Sequence, residues 1–467
     1  MITGEKTKKI TTWALVLLIT GAIDSVRNLP STALFGTELL FFFILGAVMF
    51  LIPVALVSAE LSAAWVQEEA GIFKWLELAF GEKVAFMGIW LQWINTLVWY
   101  PTILSFIAGT AAYLIDPTLA NNKFYLLAVI LPTFWIMTIV NLYGLKASAK
   151  FASICAILGM ILPMSLIILL GGYWIISGEP LQLKFTVDNI VPSLGHTESW
   201  SSLTAIITSF LGMELAAVHI QHVKNPQSTF PKATFFSVCI ILITMCFGSL
   251  AIAFVLPKSN IHLVDGVMQS FHYFFKSYHA EFLQPVIVIL LLIGSIGGMV
   301  NWIISPAKGL LMASNHGFLP KYLTKVNADQ VPQRILILQA ILVSVLGSAF
   351  FLFPSVNSIY WLFTDLSTEL YILMYVLMFI SAIKLRKSFP QQPRPFRVPF
   401  GNIGYYLTCI LGLIGCLIAF IVGFLPPEES IHMTGAQYRL LFSGGILAML
   451  LPSLFFYIYR AKHKKLL

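Results

Sequence analysis

The chain has 467 residues, of which 58% are hydrophobic and only 10% charged, with a mean hydropathy of +0.87 and a formal net charge of +8. This composition lies far outside the soluble globular range and identifies a polytopic membrane protein. The positive charge follows from membrane topology, as set out below, so it implies no nucleic-acid partner.

Twelve apolar stretches are each long enough to cross a hydrocarbon core of roughly 30 Å. They are predicted at residues 11–36, 39–65, 84–114, 124–143, 151–176, 199–222, 232–255, 284–313, 335–353, 356–383, 403–425 and 436–459. The basic segment MITGEKTKKI precedes an apolar run that is long and lacks a small-residue cleavage site, so a retained first helix is expected, with no appended soluble domain. Placing the N-terminus in the cytoplasm puts about 21 of the 28 Lys and Arg on that side, which orients both termini inward at a cytoplasmic membrane. Cys155, Cys239, Cys246, Cys409 and Cys416 all fall in apolar spans with no CxxC pair, and the nine His show no HExxH. Neither a disulfide framework, a metal site nor a cofactor is implied.

Between the spans, the stretches Gln67–Lys83 and Leu263–His279 have helical apolar spacing but are too charged to span, so they are expected at the membrane interface. Two spans are interrupted. In span one, TGAIDSVRNLP (Thr20–Pro30) places Asp24 and Arg27 where a membrane helix wants Leu; in span six, SFLGMELAAVHIQHVKNP (Ser209–Pro226) follows Gly212 with Glu214. These breaks begin spans one to five and six to ten, and because five is odd the two blocks sit in opposite orientations, as an inverted repeat. An unwound turn at mid-membrane frees backbone N–H and C=O groups that are tolerated only where they line a cavity and meet a ligand. Half-helix N-termini suit a carboxylate and free carbonyls an ammonium, which together describe a site for an amino acid zwitterion. Gly46, Gly109, Gly297 and Gly298 are read as helix-packing positions, and Gly21 and Gly212 as part of the breaks.

The stretch ELSAAWVQEEAGIFKWLELAFG (Glu60–Gly81), the broken span-six segment, NWIISPAKGLLMASNHGFLP (Asn301–Pro320), RPFRVPFGNIG and AFIVGFLPPEE together resemble the amino acid-polyamine-organocation transporters, and among them the glutamate/γ-aminobutyrate antiporter branch. The resemblance covers nearly the whole chain. It implies an all-α membrane protein of about twelve transmembrane helices in the LeuT-type architecture, with a five-plus-five inverted repeat over approximately 11–176 and 199–383, broken helices one and six, and two further helices over 403–459. It also implies amino acid antiport by alternating access; a proton-coupled symporter for a neutral or cationic amino acid is the second reading. Carried over by position, the backbone around Ala22, Ile23, Asp24 and Ser25 holds the substrate carboxylate, with Thr20 and Gly21 as further candidate substrate contacts. Leu211, Gly212, Met213 and Glu214 receive the amino group, with Glu214 as the proton-coupling acid.

The departures from that pattern are informative. Some members place a gating Trp six residues before the span-six acid, where this chain has Thr208. The chain ends eight residues after span twelve, so control by a cytoplasmic tail is not expected. The close branch also lacks acids at Asp24, Asp365 and Glu369 and a base at Arg27. Each charge at the membrane centre costs on the order of 2.5 to 3.5 kcal/mol, so these groups and Glu214 must pair or line water. Two readings stand: Arg27 is tied to Asp24 or Asp365 as a structural ion pair, or these charges select the substrate side chain.

Aromatics and small polar groups supply the remaining candidates. Trp90, Trp93, Trp99 and Tyr100 crowd span three and are read mainly as core or interface anchors; Asn95 and Thr96 are candidate contacts, and Trp302 and Trp361 candidate gates. His219 and His222 are read as solvated helix-end residues and Lys308 as a snorkelling cation. With no HExxH, GxSxG or paired His-carboxylate set, the chain reads as a carrier and not as an enzyme. Its partners are small amino acid substrates, with or without protons, and the lipid bilayer.

Overall fold

The computed structural model describes residues 11–65, 71–143, 154–155, 157–183, 190–192, 197–214, 223, 225–426 and 434–463. The described chain is built from helices, as a lipid solvent demands of backbone that must satisfy its own polar groups. α1 (Thr12–Ile23) starts at Thr11, whose hydroxyl accepts from the Ala14 amide. It stops at Asp24 and Ser25, both with extended backbone, before a single 3-10 turn (Val26–Asn28) and the short α2 (Leu29–Ala33).

α3 (Leu39–Gly46) and α4 (Ile52–Ala64) form one span joined by a π-helical turn. α5 (Ile72–Phe80) and the long α6 (Glu82–Ala112) follow, and then α7 (Lys123–Leu142), capped by the Asn122 side chain. α8 (Leu162–Ile176), the short α9 (Thr197–Trp200) and α10 (Ser202–Thr208) lead to the second break. Beyond it lie α11 (Pro226–Val255), α12 (Gly266–Ser277), α13 (Gln284–Met312), α14 (Gln333–Ser348), α15 (Val356–Ser388), α16 (Gly401–Val422) and α17 (Gly435–His463).

Among the described residues, 9 helices are long and apolar enough to cross a membrane. Three of the twelve predicted spans fall outside that set for a physical reason. Spans one and six are interrupted, and α6 carries Gln92, Asn95, Thr96, Tyr100, Thr102 and three Trp along its length, which lowers its hydropathy.

The centre of the molecule is the packing of α15 against α6, with α10 and α16 on further sides of α15. α1 lies along α11, and α11 along α8. Where α13 crosses the turn at Ile157–Ile161, backbones touch: a Cβ on Gly159 would stand 2.1 Å from the Gly294 Cα. Exposed Leu169, Phe235, Ile403 and Leu440 present apolar surface outward, as lipid contact requires.

The described residues of the two amphipathic stretches form helices, and 67–70 of the first lie outside the described residues. α5 buries Ile72, Phe73, Trp75 and Leu76 against α6 and α15, while α12 buries Phe271, Phe274 and Phe275 and seats Gly266 over Pro30 of α2. Of the glycines read as packing positions, Gly46 and Gly109 are crowded by Phe210 and Val264, whereas Gly298 has open space where a side chain would go.

Candidate substrate site between two broken helices

The second break is made by Gly212. Its φ of 99° lies in a region that L side chains rarely adopt, and it follows a run of turn hydrogen bonds from Ser209, Phe210 and Leu211 back to α10. The Gly212 N–H donates to the Tyr375 hydroxyl at 3.0 Å. This turn delivers Glu214 to α15, where Tyr371 and Tyr375, one helical turn apart, each donate to one of its carboxylate oxygens. Gln92 of α6 approaches the same carboxylate to 3.5 Å. Thr208, last residue of α10, meets Thr368 of α15 at 2.5 Å. Glu214 is buried and is held by neutral donors alone among the described residues.

The first break carries the opposite charge. Arg27 is 5% exposed; its Nη1 donates to the Thr102 hydroxyl, its guanidinium lies 5.1 Å from the Trp99 ring centroid, and the Tyr360 phenol is beside it. Its Nε has no partner, and among the described residues no carboxylate lies within ion-pair distance of it. Asp24 accepts from Thr244 of α11 at 2.7 Å through Oδ2, and its Oδ1 is unpartnered. The Thr20 hydroxyl is buried and unpartnered as well, while the Thr20 carbonyl accepts the Asp24 amide at 2.8 Å.

The proposed Asp24–Arg27 pair is therefore not formed. The i, i+3 rule needs one continuous helix, and here α1 ends at Ile23, so extended residues 24 and 25 send the two side chains to different neighbours. The Asp365–Arg27 pair is not formed either, because Asp365 faces Tyr438 of α17, whose hydroxyl is 2.6 Å from its Oδ2.

α6 and α15 run past both breaks and tie them together. Gln92, Asn95, Trp99 and Thr102 recur at helical spacing on one face of α6; Tyr360, Ser367, Thr368, Tyr371 and Tyr375 do so on α15. Asn95 accepts from Ser367 at 3.3 Å across this seam. The result is a buried polar seam with an anionic end at Glu214 and a cationic end at Arg27.

The family model described as "Amino acid permease" matches residues 10–451. The chain belongs to the amino acid permease family. An uncharacterized transporter of Legionella pneumophila is 41% identical over 96% of both chains. A glutamate/gamma-aminobutyrate antiporter of Lactococcus lactis is 26% identical over 98% of this chain and 92% of its own, and a probable agmatine/putrescine antiporter of the same species is 22% identical over 90% and 89%. The permease is thus a multi-pass membrane transporter of the amino acid-polyamine-organocation superfamily, acting on small molecules.

The remaining sequence candidates sort by contact. Gly21, read from the sequence as part of the first break, lies inside α1, which stays helical to Ile23, and is exposed; Ile23 and Met213 are buried, Ser25 and Leu211 are half-buried, and the Ala22 side chain lies outside the described residues. Thr96 spends its hydroxyl on the Trp93 carbonyl at 2.6 Å. Trp302 stacks obliquely on Trp99, with ring centroids 5.5 Å apart, and its carbonyl accepts from Tyr100 at 2.7 Å. Trp361 packs edge-on to Phe35 at 6.3 Å. Trp90 and Trp93 are anchors: their indoles bond the Met449 carbonyl and Gln339. Lys308 is exposed, and His219 and His222 lie outside the described residues. Sequence reasoning missed Gln92, Thr102, Tyr360, Tyr371 and Tyr375; their signal was a polar stripe of period 3.6 on each of two otherwise apolar helices.

Proposed function

We propose that this permease exchanges amino acids across the cytoplasmic membrane by alternating access, as an antiporter of the glutamate/γ-aminobutyrate type. In this reading it has twelve spans, a five-plus-five inverted repeat (approximately 11–176 and 199–383) and both termini inside. The observation that carries the reading is Arg27: a buried guanidinium at the break of span one, pre-positioned by Trp99 and Thr102 and without an acidic partner among the described residues. A guanidinium held in that way is suited to a planar carboxylate.

The backbone around Ala22 to Ser25 then cradles the main carboxylate, Leu211 to Glu214 receive the amino group, and Arg27 takes the second carboxylate of an acidic substrate. The full-length similarity to a glutamate/gamma-aminobutyrate antiporter supports the same choice. Asn95, Thr96, Thr208, Trp302 and Trp361 complete the wall, and Glu214 is the group that exchanges a proton during switching. The second reading, proton-coupled symport of a neutral or cationic amino acid, is favoured by the free oxygen of Asp24.

Counterflow in proteoliposomes separates the two. Labelled glutamate should enter vesicles only when they contain glutamate or γ-aminobutyrate, and arginine or neutral amino acids should compete weakly. Uptake into empty vesicles driven by a pH step alone would reject exchange.

A further inference from the structure

Outside the seam the fold holds a second acidic centre. Asp365 and Glu369 lie one turn apart on α15, rotated roughly a quarter turn from the stripe of Thr368, Tyr371 and Tyr375, so they face α16 and α17 instead of the breaks. Glu369 is 0% exposed and neither of its carboxylate oxygens has a hydrogen-bond partner; Asp365 is 3% exposed with Oδ1 equally unpartnered. Among the described residues no Lys, Arg or His comes within ion-pair distance of either.

We propose that Asp365 and Glu369 form a proton-carrying acid pair, separate from Glu214, whose protons leave and return during the transport cycle.

Three features favour a proton here. Tyr438 approaches both Asp365 Oδ2, at 2.6 Å, and the Gly423 carbonyl, at 3.1 Å, with only one hydroxyl hydrogen. The carbonyl can only accept, so when Tyr438 donates to Gly423 its oxygen is left to accept from a protonated Asp365. Gly423 also closes α16, whose C-terminal carbonyls present partial negative charge toward the acids. Space excludes a bulkier occupant: a Cβ at Gly423 would stand 2.0 Å from Glu369 Oε1, and a hard cation would need a shell of about six oxygens.

The titratable groups facing the pair are Tyr438 from α17 and Cys416 from α16. α6, α10 and the turn after α10 meet other faces of α15 through Asn95, Thr208 and Glu214, and Glu60 of α4 is engaged at the far end with Arg386 and Arg394. Because α15 also carries the two tyrosines that hold Glu214, loss of a proton from the pair, with the Tyr438 hydrogen turning from Gly423 to Asp365, acts on the same helix that holds the substrate site.

This inference rests on the transporter reading, and the test separates the two. Proteoliposomes are loaded with amino acid and assayed for exchange at equal pH and under an imposed pH gradient, for the wild type, Glu369→Gln and Asp365→Asn. Failure of wild-type exchange at equal pH overturns the functional reading. The proton pair predicts that Glu369→Gln retains equal-pH exchange and loses part of its response to the gradient, the share that Glu214 carries remaining, because an amide imitates the protonated acid and cannot release its proton. A gradient response and pH profile unchanged in both variants would overturn it.

Infrared spectroscopy of the purified wild type provides a measurement that needs no variant to fold. A buried protonated-carboxyl band at neutral pH is expected, and its absence overturns the pair. Glu369→Asp, which keeps an acid one carbon shorter, should shift that band.

Discussion

At the scale of single residues the two ends of the seam make opposite demands. Arg27 offers unsatisfied donor capacity, and truncating one partner of a buried charge-assisted contact costs on the order of 2 to 5 kcal/mol. Arg27→Ala should therefore nearly abolish transport of acidic substrates while leaving neutral ones largely intact; unchanged kinetics across a substrate panel in liposomes would remove Arg27 from the site. Glu214 is different, because Tyr371 and Tyr375 already occupy its oxygens. Glu214→Gln should leave binding measurable by calorimetry and remove the Glu214 share of the pH dependence of exchange, whereas a preserved profile would reassign the proton. Away from the bilayer, His262 precedes α12, and its hydrogen bond to Asp265 at 3.1 Å raises its pKa above the usual histidine value of about 6.5. The sign follows from the direction: a raised folded-state pKa adds stability that is complete below about pH 6.5 and disappears as pH rises through the folded value. Thermal melts of the purified protein should show that slope, and His262→Asn should remove it.

At the scale of elements, both breaks were legible in the sequence because unwinding leaves a polar mark: Asp24, Ser25 and Arg27 in one span, Gly212 and Glu214 in the other. The chain's interruption at residues 24–25 and at 209–212 follows those marks. Which partners the charges find was not legible. The reading that ties Arg27 to Asp24, three residues apart, as an ion pair needs a helix running through both, and α1 ends at Ile23. Nothing in the sequence distinguishes Tyr371 and Tyr375 from the core or interface aromatics common in membrane helices; their hydrogen bonds to Glu214, beyond the Gly212 turn, set them apart. Gly212 makes this element-scale reading testable. At a φ of 99° any Cβ is strained by about 1 to 2 kcal/mol, and the Gly212 N–H that donates to Tyr375 would be displaced. Gly212→Ala should lower both the melting temperature and the substrate-induced rise in it, whereas a loss confined to baseline stability would show that the turn is structural only.

At the scale of the whole molecule, ion pairs gather on the face that carries most of the Lys and Arg. Glu82 at the start of α6 pairs with Arg460 near the end of α17 and with His316 after α13, at 3.2 Å for the His. Glu60 near the end of α4 pairs with Arg386 near the end of α15 and, at 3.2 Å, with Arg394, and it accepts the Val398 amide at 2.8 Å. Glu60 thus fastens the RPFRVPFG segment, which sequence reading recognised only as a family signature, onto the second span. The two knots differ in environment. Glu82 is half-exposed, so water screens its pair and removing it should cost little. The Glu60, Arg386 and Arg394 side chains are all under 10% exposed, and removing one partner of a buried pair typically costs about 3 to 5 kcal/mol because the others remain buried and uncompensated. Glu60→Gln should therefore lower the melting temperature far more than Glu82→Gln, although both delete one carboxylate from the same face. If the loss comes from stranded charge, adding Arg386→Met to Glu60→Gln should recover part of it; if it comes from loosening the segment at Val398, the double variant should be no better than the single. Fluorescence-monitored melts of the wild type and the three variants decide whether electrostatics or tethering joins the segment after α15 to α4.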